Sequence, residues 1–98
     1  GNVTVEAMAS GLAVVAYDYA AAAEHLRDGV SGLLADYDDL GEFTRCAAKL
    51  VGDPVRIRRF GARARTTALA LDWERVVQQL EAVLLTAVEV AAAERAPL

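Results

Sequence analysis

The segment Gly1-Asn2-Val3-Thr4-Val5-Glu6-Ala7-Met8-Ala9-Ser10-Gly11 gathers what an anion site needs. A Gly-led helix start leaves backbone N–H groups without intrahelical partners, and the helix dipole adds positive potential at that end. Together they suit a diphosphate. Glu6 lies about one turn further in, among small and apolar residues. A carboxylate there can accept hydrogen bonds from two adjacent ribose hydroxyls. Solvation or a capping role would serve it as well, and the residues alone leave both readings open.

Other reactive side chains carry blander expectations. Glu24 follows the loop after the first predicted strand; it either lines a cleft or supports the local helix, and the structural role is favoured. His25, the only histidine, has no second ligand or partner in sequence and reads as a helix-surface residue. Cys46 is the only cysteine, so no intrachain disulfide is available; inside a helical pattern it reads as a small buried apolar residue. No cysteine pair or cluster suggests a metal site. Arg56, Arg58, Arg59, Arg63 and Arg65 crowd one helix and read as a solvated face, with Asp53, Glu74 and Glu81 as candidate ion-pair partners.

The elements that position these residues follow from periodicity. Val3, Val5, Ala7, Met8, Ala9 and Leu12 give a helical pattern stopped by Gly11 in a left-handed C-cap. Residues 13–17 form a short apolar run typical of a strand buried on both faces, and 31–35 form a second. Between them 20–27 reads as a short helix ended by Asp28-Gly29. Asp38 or Asp39 N-caps a helix over 40–51, which Gly52 closes. Asp53-Pro54 starts another helix to about residue 71, and Asp72 caps a long last helix over 73–94. Trp73, Val76, Val77, Leu80, Val83 and Leu84 make its apolar stripe. Helices alternating with buried short strands define an α/β fold. Two strands are few for a parallel sheet, which needs neighbours and helices on both faces. Because the helical pattern starts almost at the first residue, the expectation is a fold entered part-way.

Composition narrows the classes. The 98 residues are 55% hydrophobic and 24% charged, which suits a soluble globular chain and excludes a disordered one. The net charge of −4 offers nothing for non-specific nucleic-acid binding. No uninterrupted apolar run approaches a membrane span, and no signal peptide is visible, so the default expectation is cytoplasmic. A dehydrogenase is disfavoured, since no G-x-G-x-x-G follows a strand.

Residues 6–16, Glu-Ala-Met-Ala-Ser-Gly-Leu-Ala-Val-Val-Ala, closely resemble the donor-site signature of family 4 (group 1) retaining glycosyltransferases. The likeness continues in order through Asp18, Glu24, Asp28-Gly29, Gly32-Leu33-Leu34, Asp53-Pro54 with its Arg-rich helix, and Asp72-Trp73. The resemblance implies that residues 1–98 are the truncated nucleotide-sugar-binding C-terminal domain of a GT-B fold. That domain would be partial and Rossmann-like, with few short parallel strands flanked by helices and a long C-terminal helix. It implies that Glu6 contacts the nucleotide ribose and that Gly1, Asn2, Val3 and Thr4 line the donor diphosphate and sugar. The family's sugar-contacting glutamate would precede Gly1, and its phosphate-neutralising Arg and Lys lie on earlier strands, so no catalytic residue is assigned here. The chain departs from the family pattern at Ala13, commonly Pro, and at Ala20-Ala21, commonly Gly-Gly.

The activity so implied is transfer of a hexosyl group from a UDP- or GDP-linked donor to an acceptor hydroxyl with anomeric retention, without metal or other cofactor. The isolated chain is expected to be inactive. The acceptor is unassigned, because the N-terminal domain that binds it lies outside the chain. The full-length parent is expected to be cytoplasmic or peripheral to the inner face of the membrane. Two other readings remain: a self-associating α/β interaction fragment, a homo-oligomer without catalysis, and part of a GT-B-like nucleotide-sugar epimerase.

Overall fold

The computed structural model describes residues 3–95. Six elements follow in order: α1 (Val3–Ala9), β1 (Val14–Tyr17), α2 (Ala20–His25), β2 (Gly32–Ala35), α3 (Leu40–Val51) and α4 (Pro54–Arg95). α1 ends as its sequence predicts. Gly11 takes φ +74°; its N–H donates to Met8 O at 2.9 Å while the Leu12 N–H donates to Ala7 O at 3.2 Å. This paired arrangement satisfies the last carbonyls and reverses the chain. The chain therefore enters β1 running back along α1.

β1 and β2 pair in parallel, with Val14 opposite Gly32 and Tyr17 opposite Ala35. Among the described residues they are the only strands. Both faces of the sheet are covered, because side chains alternate across it. On one face Val14, Ala16 and Leu34 pack with Met8 of α1, Ala22 of α2, Leu26, and Ala64 and Ala68 of α4. On the other, Ala13, Val15, Tyr17, Leu33 and Ala35 pack with Phe43, Cys46 and Leu50 of α3 and Phe60 of α4. The unbroken apolar runs are thus explained: each strand is sandwiched between helices. Cys46 is buried in the second cluster, as expected. Gly32 is required by close strand approach, since a Cβ there would meet the Val14 carbonyl oxygen at 2.6 Å.

The caps of α3 and α4 are explicit. Asp39 accepts from the Glu42 N–H at 3.0 Å, and Asp38 takes the left-handed turn before it, φ 62°. The choice between the two aspartates is thereby made. Asp53 accepts from the Arg56 N–H at 3.0 Å and lies 3.5 Å from the Arg56 guanidinium.

The fold departs from the sequence expectation in four places. α2 stops at His25, two residues early, because Leu26 turns extended (φ −88°, ψ 138°) into the core. The strands begin one residue late, at Val14 and Gly32. The predicted break at Asp72 is absent, and α4 is one helix of 42 residues. The Asp72 carboxylate bonds forward to the Arg75 guanidinium at 2.8 Å rather than to a backbone N–H. No Gly or Pro stands nearby to interrupt the ladder, and a single Asp costs a helix only about half a kcal/mol. Finally, an 18-residue window of α4 has mean hydropathy 1.5, so by length and composition this helix is apolar enough to cross a membrane, although no uninterrupted apolar run does so.

α4 runs antiparallel to α1. Gly61 lies against Gly11, Arg65 donates to Ala9 O at 3.3 Å, and Leu71, Asp72 and Arg75 share a small cavity with Val5. Beyond Arg75 the helix continues for about 30 Å at 1.5 Å per residue with almost every residue exposed. It stretches the molecule to 72 Å.

Candidate functional site at the strand tips

In parallel α/β sheets ligands bind outside the carboxyl ends of the strands. Here those ends are Tyr17 and Ala35. Because the chain reverses between α1 and β1, the start of α1 lies on the same side. Gly1 and Asn2 lie outside the described residues. Val3 is exposed, Thr4 half-buried and Glu6 exposed. The Glu6 carboxylate forms no ion pair among the described residues. Its main-chain carbonyl accepts from the Ser10 N–H at 3.1 Å and the Ser10 hydroxyl at 3.0 Å. Glu6 faces solvent while the other side of its helix, through Val5, Met8 and Ala9, packs on the sheet.

The strand tips carry an aromatic rim that sequence reasoning passed over. Tyr19 and Tyr37 lie with ring centroids 4.6 Å apart, and Tyr17 touches both Tyr37 at 6.3 Å and Phe43 at 5.1 Å. The register explains it. Tyr17 stands opposite Ala35, so two residues further along each chain Tyr19 meets Tyr37. The signal was present as a tyrosine two residues past the end of each predicted strand. The Asp18 N–H donates to Ala35 O at 2.8 Å, extending the ladder into this rim.

Other candidate residues go elsewhere. Glu24 and His25 occupy the last turn of α2, away from the strand tips; their side chains approach at 3.8 Å, with Glu24 largely in solvent. Of the five arginines, Arg56 pairs with Asp53, while Arg63 and Arg65 donate to the main-chain carbonyls of Val30 and Ala9. Glu74 and Glu81 form no ion pair among the described residues. Asp36, Asp39 and Glu42 bring carboxylate oxygens within 4.8 Å of one another. Asp39 is committed to its cap, and this group is an exposed acidic turn.

The architecture is thus a layered α/β piece, helices on both faces of two parallel strands, with a solvent-facing carboxylate on α1. Its sequence matches the family model for group 1 glycosyl transferases over residues 1–53. The chain belongs to the group 1 glycosyltransferases. It is 35% identical over 80 residues to a D-inositol 3-phosphate glycosyltransferase of Nocardia farcinica, covering 82% of this chain and 18% of that protein. A protein of the same description from Geodermatophilus obscurus is 38% identical over 98 residues, covering 98% of this chain and 21% of that one. An alpha-maltose-1-phosphate synthase of Mycolicibacterium smegmatis is 36% identical over 86 residues, covering 81% and 22%. The chain therefore spans about a fifth of the length of these relatives. No solved structure matches.

Proposed function

We propose that this chain forms part of the nucleotide-sugar donor site of a family 4, retaining, GT-B glycosyltransferase, within a Rossmann-like C-terminal domain. The observation that carries the reading is Glu6. It is a solvent-facing carboxylate with no ion pair among the described residues, on the side of the strand tips, in a helix whose other face is fully used in packing. A carboxylate so placed accepts from two neighbouring ribose hydroxyls. The amides of Val3 and Thr4, at the start of the same helix, face phosphate. The enzyme's work at this end is electrostatic, stabilising the diphosphate as it departs. The N-terminal domain supplies the acceptor and the remaining phosphate partners. Relatives described as D-inositol 3-phosphate glycosyltransferases and an alpha-maltose-1-phosphate synthase fit sugar transfer, and the donor proposed here is a hexosyl group linked to UDP or GDP.

α4 supports the same arrangement. Its exposed apolar half projects beyond the start of α1, where a further domain of the parent would pack. A cytoplasmic or membrane-peripheral parent fits this reading.

The test is nucleotide titration of the chain followed by amide chemical shifts. UDP or GDP at millimolar concentration is expected to move Val3, Thr4, Glu6 and Tyr19, and Glu6→Gln is expected to remove the response to ribose. Shifts confined to other segments would overturn the assignment.

A second reading, self-association, rests on a separate observation. Leu69, Trp73, Leu80, Val83, Leu84, Leu85, Val88 and Val90 are each more than half exposed. Such a surface promotes contact between copies. The two readings are compatible: one concerns the parent's chemistry, the other the behaviour of the chain by itself.

A further inference from the structure

A cavity of about 410 Å³ opens at the opposite end of the strands from Tyr17 and Ala35. It is lined by Glu24 and His25 of α2, Leu26, Arg27, Val30 and Ser31 of the following turn, and Arg63 and Thr67 of α4. Its polar groups are mostly donors. Arg27 and Arg63 arrive from different elements. The Arg63 guanidinium is held over the turn by one bond to Val30 O at 3.4 Å, which leaves most of its donors available. The Arg27 side chain forms no hydrogen bond or ion pair among the described residues. Ser31 is the one buried polar residue of the described chain, at 3% exposure. Its Oγ accepts from the Arg27 N–H at 2.9 Å, so its own proton is left to give. The single carboxylate in the lining, Glu24, is 74% exposed beside His25.

We infer that this cavity is a binding site for a small phosphate-bearing ligand, a phosphomonoester. Two arginines that line one cavity from separate elements match the several oxygens of a phosphate better than any neutral ligand. The hydroxyl of Ser31 adds a further donor at the cavity floor. The volume suits a small molecule rather than a macromolecule. Glu6 does not line this cavity, and the site stands independently of the donor reading.

Titration of the 98-residue chain with inorganic phosphate, and separately with methyl phosphate, is followed by ¹H–¹⁵N shifts against chloride at matched ionic strength. Saturable shifts are expected at the amides of Arg27, Ser31 and Thr67 and at the Arg63 Nε–H. Arg63→Gln and Arg27→Gln are each expected to weaken binding about tenfold, whereas Arg58→Gln, outside the cavity, leaves it within about twofold. Arg63→Gln also removes the bond to Val30, so Arg27→Gln, whose side chain makes no hydrogen bond or ion pair among the described residues, is the decisive variant. Shifts that fail to saturate, that chloride reproduces, or that Arg27→Gln leaves unchanged would overturn the site. Shifts at Val3 and Thr4 instead would mean that phosphate prefers the strand tips, and would overturn it equally.

Discussion

Gly61 of α4 rests directly on the carbonyl of Gly11, the residue that ends α1. A Cβ built on Gly61 collides with the Gly11 carbonyl oxygen. The obstacle is backbone, not the end of a flexible side chain, and Gly11 is itself fixed at φ +74° by the turn into β1. The contact therefore sets the separation of α4 from the α1–β1 corner, and with it the antiparallel run that carries α4 past Glu6. Gly61→Ala is expected to destabilise the chain by about 1–3 kcal/mol, the usual range for overpacking. Gly52→Ala meets nothing within 4 Å and is expected to change stability by less than about 1 kcal/mol. Chemical denaturation of the two variants side by side checks this; equal effects would mean the Gly61–Gly11 contact does not anchor the helix.

Ala20 opens α2 at φ 50°. The left-handed conformation costs an L-residue roughly 1–2 kcal/mol, and glycine escapes that cost while losing about 0.5–1 kcal/mol of backbone entropy. The resemblance implies glycine at this position, where this chain has alanine. Ala20→Gly is expected to be neutral or to stabilise by up to about 1 kcal/mol on balance of these two terms. A loss of stability would show that the methyl packs usefully. Thermal melts of the pair decide it.

Exposed apolar residues along α4 predict concentration-dependent association. Leu69, Trp73, Val76, Leu80 and Val83 follow one another in steps of four and three, the spacing with which helices pair along a seam. Sedimentation equilibrium of the chain is expected to show species larger than a monomer at micromolar concentration, and Leu80→Lys with Val83→Lys to restore the monomer. A monomer that persists for the unaltered chain would remove the self-association reading.

Much of the fold was legible because its signals are local. Gly11 and Asp53 act through their own backbone or the next turn, so that stop and that start were placed from spacing, while the α3 cap was narrowed to Asp38 or Asp39. The strand cores, with Val14, Val15, Leu33 and Leu34, were visible because burial on both faces leaves an unbroken apolar run. The pairing of Tyr19 with Tyr37 was hidden, since it depends on the register between strands. The cavity around Arg27 and Arg63 was hidden for the same reason: those residues are 36 positions apart by number and meet only through packing of α4. Glu6 could be named as a candidate from its helix, yet its exposure is decided by which helix face Met8 buries.

Asp72 tests how a helix reads one residue. An aspartate before a tryptophan looks like a cap, and the same residue type does cap at Asp53, where the following proline fixes the helix start and the carboxylate takes the Arg56 N–H. At Asp72 the preceding turn is already helical, its N–H groups are already paired within the helix, and the carboxylate turns to the exposed Arg75. Asp53→Ala should therefore cost about 1 kcal/mol, the worth of an N-cap. Asp72→Ala should be neutral within about 0.5 kcal/mol, since alanine's higher helix propensity offsets the loss of a surface ion pair. Circular dichroism during denaturation separates them. A cost at Asp72 equal to that at Asp53 would mean that the chain breaks there, as its sequence suggests, and that the apolar half of α4 is a separate helix free to turn back over the strand tips.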